Sequence, residues 1–312
     1  MQEIVARKVA GGLLFGEGIR WTGQALVLSD MLGRRVVEVD PYTGKVTTLV
    51  EIENQPSGLI VRADGSLLIN SMFDRKLLTF GSAGLGEYCD LSHLATGYLG
   101  DIVDDGRGGY YVDDVGARVL HGEKLAPGRL LFVAPDRSVR VAKEQLAFAN
   151  GVVISPDGAR LYLAETMISA IKVYDIKGDG ALSEGRMFAD FTGVSRIDGM
   201  TMDAEEACWA CLLDSDRVVR VAQGGSRTHA VIVPDSEPIA CTIGGASGRE
   251  MFITAIESLA GKNIFEEMMA KRVRANVWVA DIRSTKAAHG HETVRHATIS
   301  RGVDHFDLSI GN

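Results

Sequence analysis

Phe148-Ala149-Asn150-Gly151-Val152-Val153-Ile154-Ser155-Pro156-Asp157-Gly158 reads as a polar tip, a short apolar strand and a tight turn, followed by a second strand at Arg160-Leu161-Tyr162-Leu163. Short apolar runs bounded by Gly, Pro and Asp are strand signals, and Pro-Asp-Gly supplies the backbone freedom a turn requires. The unit recurs. Ser57-Gly58-Leu59-Ile60-Val61 turns at Ala63-Asp64-Gly65, Asp101-Ile102-Val103 at Asp105-Gly106, and Asp198-Gly199-Met200-Thr201-Met202 at Asp203 to Glu206. A first copy opens at Glu17-Gly18-Ile19-Arg20-Trp21 and a last at Ile239-Ala240-Cys241-Thr242-Ile243.

The six copies start near residues 17, 57, 101, 150, 198 and 240. A period of roughly 40–50 residues with four short strands per period is the mark of a propeller blade. A linear stack would leave two sheet edges exposed, whereas a closed ring hides them. The sequence therefore predicts an all-β, six-bladed β-propeller with four antiparallel strands per blade, one domain over residues 1–312. A lead-in strand, Glu3 to Val9, is expected to complete the outer edge of the last blade and latch the ring.

Two segments break the rhythm. Ala117 to Gly128 reads as a polar loop. Residues 256–275 read as a helical insertion in the last blade and a candidate lid, because Leu259, Ile264, Phe265, Met268 and Met269 fall near helical spacing. Residues 283–312 read as an outer strand and terminal extension, in which His289, His291, His296 and His305 have no spacing suited to a metal cluster. In a four-stranded meander the second strand returns to the face where the first began. The loops between second and third strands therefore share a face with the polar tips, and loops on a rigid scaffold commonly carry function.

A chain with 46% hydrophobic and 24% charged residues can bury a large core. Its net charge of -8 argues against nucleic acid or an anionic membrane as partner. No apolar run reaches the length of about 18 residues that suggests a membrane span, and Met1 to Lys8 has no secretory apolar core. A cytoplasmic location is expected. Cys208 and Cys211 form a C-x-x-C within a strand-like run, where residues three apart face opposite ways, so they read as small buried hydrophobes.

If the ring closes, the tips converge on one axis. Glu17, Asn150 and Asp198 would then offer two carboxylates and an amide oxygen, a hard donor set suited to Ca²⁺, Mg²⁺ or Mn²⁺. Three protein ligands leave coordination positions open for Lewis-acid chemistry. The alternative is that these residues only make local turns. No G-x-S-x-G elbow is present.

The chain resembles the gluconolactonase/regucalcin-like superfamily (the senescence marker protein group), six-bladed propeller metallohydrolases, through residues 15–255. The resemblance rests on Glu17-Gly18-Ile19-Arg20-Trp21, on Ala149-Asn150-Gly151 with Ser155-Pro156-Asp157-Gly158, on Ile171-Lys172-Val173-Tyr174-Asp175 with Gly180-Ala181-Leu182-Ser183, and on Ile197-Asp198-Gly199-Met200. It implies that Glu17, Asn150 and Asp198 bind one divalent metal, calcium first and Zn, Mn, Mg or Fe as alternatives. It further implies that Asp198 doubles as general base or nucleophile-positioning carboxylate in lactone hydrolysis. Asp101 is the alternative catalytic base if its carboxylate faces the channel. The family's third blade opens with Asn-Asp preceded by an arginine; here Gly100 and Tyr98 stand in place of the Asn and Arg. The family's fourth-blade Asp-Thr is here Glu165-Thr166.

Loss of those polar groups points to a lactone less polar than a sugar-acid lactone, lined by Tyr98, Gly100, Phe265 and Met268. The expected partner is a small lactone or ester, with self-association left open. Two other readings stand beside it: an organophosphate or ester hydrolase on the same site, and a non-catalytic ligand-binding propeller with structural calcium.

Overall fold

Six sheets form the computed structural model, which describes residues 1–282. Each innermost strand packs against that of the next blade, and the sixth packs back onto the first, so the ring is closed. The blades open with Gly16–Trp21, Pro56–Val61, Leu99–Asp104, Ala149–Ile154, Ile197–Met202 and Ser236–Gly244. Within each blade the strands follow as an antiparallel meander.

Hydrophobic cores lie between neighbouring blades. Val27, Val36, Leu59 and Ile69 pack between blades one and two, and Tyr162, Ile171, Cys208 and Ala210 between blades four and five. Every sheet is therefore covered on both faces. This explains why second strands such as Leu67–Ser71 and Cys208–Leu212 are buried at every residue instead of alternating. Cys208 joins the core shared with blade four and Cys211 the core shared with blade six, so the C-x-x-C cysteines do face opposite ways.

The lead-in is two strands rather than the single one expected. Arg7–Leu13 pairs antiparallel with Ala275–Asp281 and latches blade six. Gln2–Val5 instead runs parallel to Arg227–Ile232 and gives blade five a fifth strand. The chain crosses between sheets at Ala6, whose N–H donates to the Ile232 carbonyl.

The insertion in blade six is also shorter than the helix expected over 256–275. Strand Glu250–Glu257 continues through Ile256, which pairs with Ala275. Only α1 (Ile264–Met269) is helical, capped by the Asn263 side chain accepting from the N–H groups of Phe265 and Glu266. Left-handed residues Ala260, Gly261 and Lys271 bound it. The expected C-terminal strand and extension, residues 283–312, lie outside the described residues.

Candidate functional site

All six innermost strands carry the same irregularity at their tips. Between Ala149 and Val152 the strand advances three residues while its partner advances only two, from Glu165 to Leu163. The same one-residue excess recurs at Glu17–Arg20, Pro56–Leu59, Leu99–Ile102, Ile197–Met200 and Pro238–Ala240. A bulge of this kind bends the strand and re-aims a side chain. Here it turns Glu17, Ser57, Asn150 and Asp198, together with the Gly100 backbone, into one cavity.

The residue after each tip packs against the backbone of the next blade. A Cβ on Gly151 would lie 2.4 Å from the Asp198 carbonyl oxygen. Gly18, at φ +56°, would place one 2.8 Å from the Leu59 nitrogen. In blade three the residue at this position is Asp101. Its carboxylate accordingly does not line the cavity. It receives the Arg20 guanidinium at 3.3 Å and its own neighbour's N–H, that of Ile102, at 2.8 Å.

Polar side chains on the second strands, or immediately after one in the case of Thr166, hold the backbone groups freed by the bulges. Asn70 Nδ2 donates to the carbonyls of Gly100 and Asp101 at 2.8 and 3.2 Å. Asp113, fully buried, accepts from the N–H groups of the same two residues at 2.7 and 2.9 Å. Thr254 Oγ1 donates to the Gly16 carbonyl at 2.7 Å. Thr166 Oγ1 donates to the Ile197 carbonyl at 2.8 Å and accepts from Asn150 Nδ2 at 3.2 Å. Asn150 is thereby oriented with Oδ1 as its remaining donor atom for a cation.

Electrostatically the floor is acidic. Burial pushes Glu17 well above the usual carboxylate range, and the nearby charges of Asp198, Asp101 and Asp113 add to the rise. Burial, with the Asp101 charge adding to it, lifts Asp198 to about 7 against the opposing Asn150 amide and Arg196. Burial also raises Asp113. Among the described residues neither Glu17 nor Asp198 forms an ion pair, since Arg20 is engaged by Asp101 and Arg196 by Asp214. Nor does any cluster of three His, Cys, Asp or Glu side chains among them suit a metal ion. The set at the axis is two carboxylates and an amide, and two buried carboxylates in mutual repulsion fit a divalent cation.

The walls are apolar. The residue following the second strand lines the cavity in five blades, as Met31, Met72, Val115, Thr166 and Leu213. Two residues before the tips stand Phe15, Tyr98 and Phe148, and in blade five Arg196. Phe265 and Met268 of α1 and Val119 and Leu120 of the blade-three loop form the roof, with Phe148 and Phe265 6.3 Å apart. The cavity measures about 90 Å³.

Tyr98 presents its ring to this cavity, and its hydroxyl engages His121 Nδ1 in the loop above. Burial raises the phenol to about 12. Of the residues expected at the site, Glu17, Asn150, Asp198, Tyr98, Gly100, Phe265 and Met268 thus share one cavity, and Asp101 lies beneath its floor. Arg196, Thr166, Asn70 and Asp113 were not anticipated there. A polar residue inside an apolar second strand, as in Leu67-Leu68-Ile69-Asn70, was the available signal.

The chain and its fold are similar to those of known proteins. A 6-deoxy-6-sulfogluconolactonase of Pseudomonas putida is 27% identical over 264 residues, 82% of this chain and 88% of that protein. Lactonase drp35 of Staphylococcus epidermidis is 26% identical over 230 residues, 70% of this chain and 69% of its own. The crystal structure of a calcium-binding protein, regucalcin, from Agrobacterium tumefaciens superposes with a TM-score of 0.79 at 18% identity, covering 95% of this chain and all of that one. The family model of the SMP-30/gluconolactonase/LRE-like region matches residues 15–257, and the chain belongs to that family.

Proposed function

We propose that this chain hydrolyses a lactone less polar than a sugar-acid lactone, using a divalent cation held by Glu17, Asn150 and Asp198. Relatives named as lactonases support lactone hydrolysis in general. The observation that carries the finer reading is the pair of carboxylates, Asp198 buried and Glu17 half-buried, neither in an ion pair, on the floor of a cavity with largely apolar walls. Calcium is the first candidate, because the donors are all oxygen.

A cation bound there supplies polarisation of the ester carbonyl and a more acidic water. The remaining steps belong to the chain. Asp198 accepts the proton of the attacking water, the hydroxyl adds to the carbonyl carbon, and the ring C–O bond breaks. The leaving alkoxide takes the proton back from Asp198. Asn150, fixed by Thr166, sets the position of the third donor. Asp101, whose carboxylate does not face the cavity, takes no proton in this scheme and is held by Arg20. Tyr98, Gly100, Phe265 and Met268 contact the ring and exclude bulk water.

All four cysteines are unpaired and buried, which suits a reducing compartment, and the cytoplasm is the proposed location. Among the described residues no helix is long and apolar enough to cross a membrane. Metal analysis of the purified protein, followed by a pH-drop assay across lactones, tests the proposal. Chelation is expected to abolish turnover, and Asp198→Ala or Asn150→Ala to lower it by about 10² or more. Turnover at the wild-type rate in chelator or in either variant would refute it.

A further inference from the structure

A second, larger cavity of about 700 Å³ opens beside the first, between blades five and six on the same face. The two share three residues, Arg196, Ile264 and Phe265. Arg196 is also the one cationic side chain among the described residues that line the inner cavity. It occupies the repeat position that blades one, three and four fill with Phe15, Tyr98 and Phe148.

Arg196 already holds a carboxylate. Its Nε and Nη2 donate to Asp214 Oδ2 and Oδ1 at 2.8 and 2.6 Å, a two-pronged geometry that recognises any carboxylate. The Asp214 side chain is 53% exposed and the Arg196 side chain 33%. An ion pair this open to water contributes little to stability, so its acidic partner is readily exchanged. Hydrolysis of a lactone turns a neutral ester into a carboxylate within the inner cavity. That new anion arises beside Asp198, two residues along the strand from Arg196.

We propose that Arg196 and Asp214 form a carboxylate-exchange site on the wall between the two cavities, at which the hydroxy-acid product replaces Asp214 on its way out. The proposal rests on the lactonase reading above. Beyond Arg196 the outer cavity is lined by Asp214, Asp216, Asp235 and Glu237 against Lys262. That surface disfavours an anion, so Arg196 is the last favourable contact before release.

The test is calorimetric titration of 4-hydroxybutanoate, the ring-opened form of a five-membered lactone, into chelator-treated and calcium-loaded protein. Neutral 1,4-butanediol serves as the control. Arg196→Met is expected to weaken 4-hydroxybutanoate binding by about ten- to a hundredfold, the range for losing a charge-assisted bidentate contact. Arg196→Lys, which keeps the charge but not the fork, falls between. Asp214→Asn removes the internal competitor and is expected to tighten binding by about threefold or more. Opposite signs distinguish exchange from a merely structural ion pair, whose loss would weaken binding in both variants. Undetectable binding to the wild type, equal affinity throughout, or weakening in both variants overturns the proposal. Turnover of the matching neutral lactone, measured in parallel, decides the lactonase reading separately.

Discussion

Replacing Asp198 with Asn should stabilise the cation-free protein at pH 8 and do much less at pH 5. The perturbation is nearly isosteric and removes one ionisable group from a floor it shares with Glu17, with Asp101 below and Arg196 at the side. In the folded chain burial and Asp101 raise Asp198 from 3.8 to about 7, against the opposing effects of Asn150 and Arg196. The folded state therefore keeps a proton that the unfolded chain has already lost between those values. Stability falls as pH rises through that window and levels off above it. A rise of about three units at about 1.4 kcal/mol per unit is on the order of 4 kcal/mol once both states are ionised. At roughly 2 °C per kcal/mol for a chain of this length, the variant should melt about 8 °C above the wild type at pH 8.

Thermal and urea unfolding in chelator at pH 5, 6, 7 and 8 reads this directly. Calcium should then reverse the order, stabilising the wild type and leaving Asp198→Asn unmoved, because binding to the folded state alone adds stability. Parallel stability–pH curves for the two proteins in chelator would refute the reasoning, since they would mean Asp198 is ionised at no cost in the fold.

Gly151→Ala places a methyl group 2.4 Å from the Asp198 carbonyl oxygen, a backbone atom that can move only by displacing the neighbouring tip. A stability loss of about 1–3 kcal/mol is expected together with weaker calcium binding in calorimetry, and unchanged calcium affinity would show that tip spacing does not set the site. Phe265→Ala opens the roof over a cavity of about 90 Å³, and kcat/KM for lactones with bulky apolar substituents should rise relative to the unsubstituted ring. An unchanged ratio would mean that the ring at 265 does not limit access.

The ring and its tips were legible because both depend on short-range pattern. Turn chemistry at Asp64-Gly65, Asp105-Gly106 and Asp157-Gly158 punctuates the units, and the tip residues Ser57, Gly100 and Asn150 stand a short distance before each turn. What the pattern could not carry was pairing over long separations. Gln2–Val5 adds to blade five only because Arg227–Ile232 presents an open edge, more than two hundred residues away. The helix expected over 256–275 is shorter because Ile256 pairs with Ala275 in the sheet and Ala260, Gly261 and Lys271 take left-handed backbone, which apolar spacing does not reveal. The bulges were equally hidden, since a one-residue excess appears only once both strands are paired. Without them Asp101 looks equivalent to Asp198. With them it falls where the other polar-tipped blades have Gly18, Gly58, Gly151 and Gly199, and its carboxylate is directed beneath the cavity.

The bulges also explain why polar residues are tolerated inside strands buried on both faces. Each bulge frees backbone carbonyls and N–H groups that a regular ladder would have paired, and a buried unpaired group of this kind is costly. Asn70, Asp113 and Thr254 inside the strands, and Thr166 just after one, meet those groups and so hold the tips. The rigidity this confers keeps Glu17 near Asp198 even though burial raises both and the Asp198 charge raises Glu17 further. A softer frame would let the carboxylates separate and relieve that repulsion. A stiff one retains it, and the free energy that weakens the cation-free protein above pH 7 becomes a driving force for taking up a divalent ion. Low stability without the cation and high affinity for it are, on this view, two consequences of the same frame, and they should rise and fall together when any of the four polar supports is replaced.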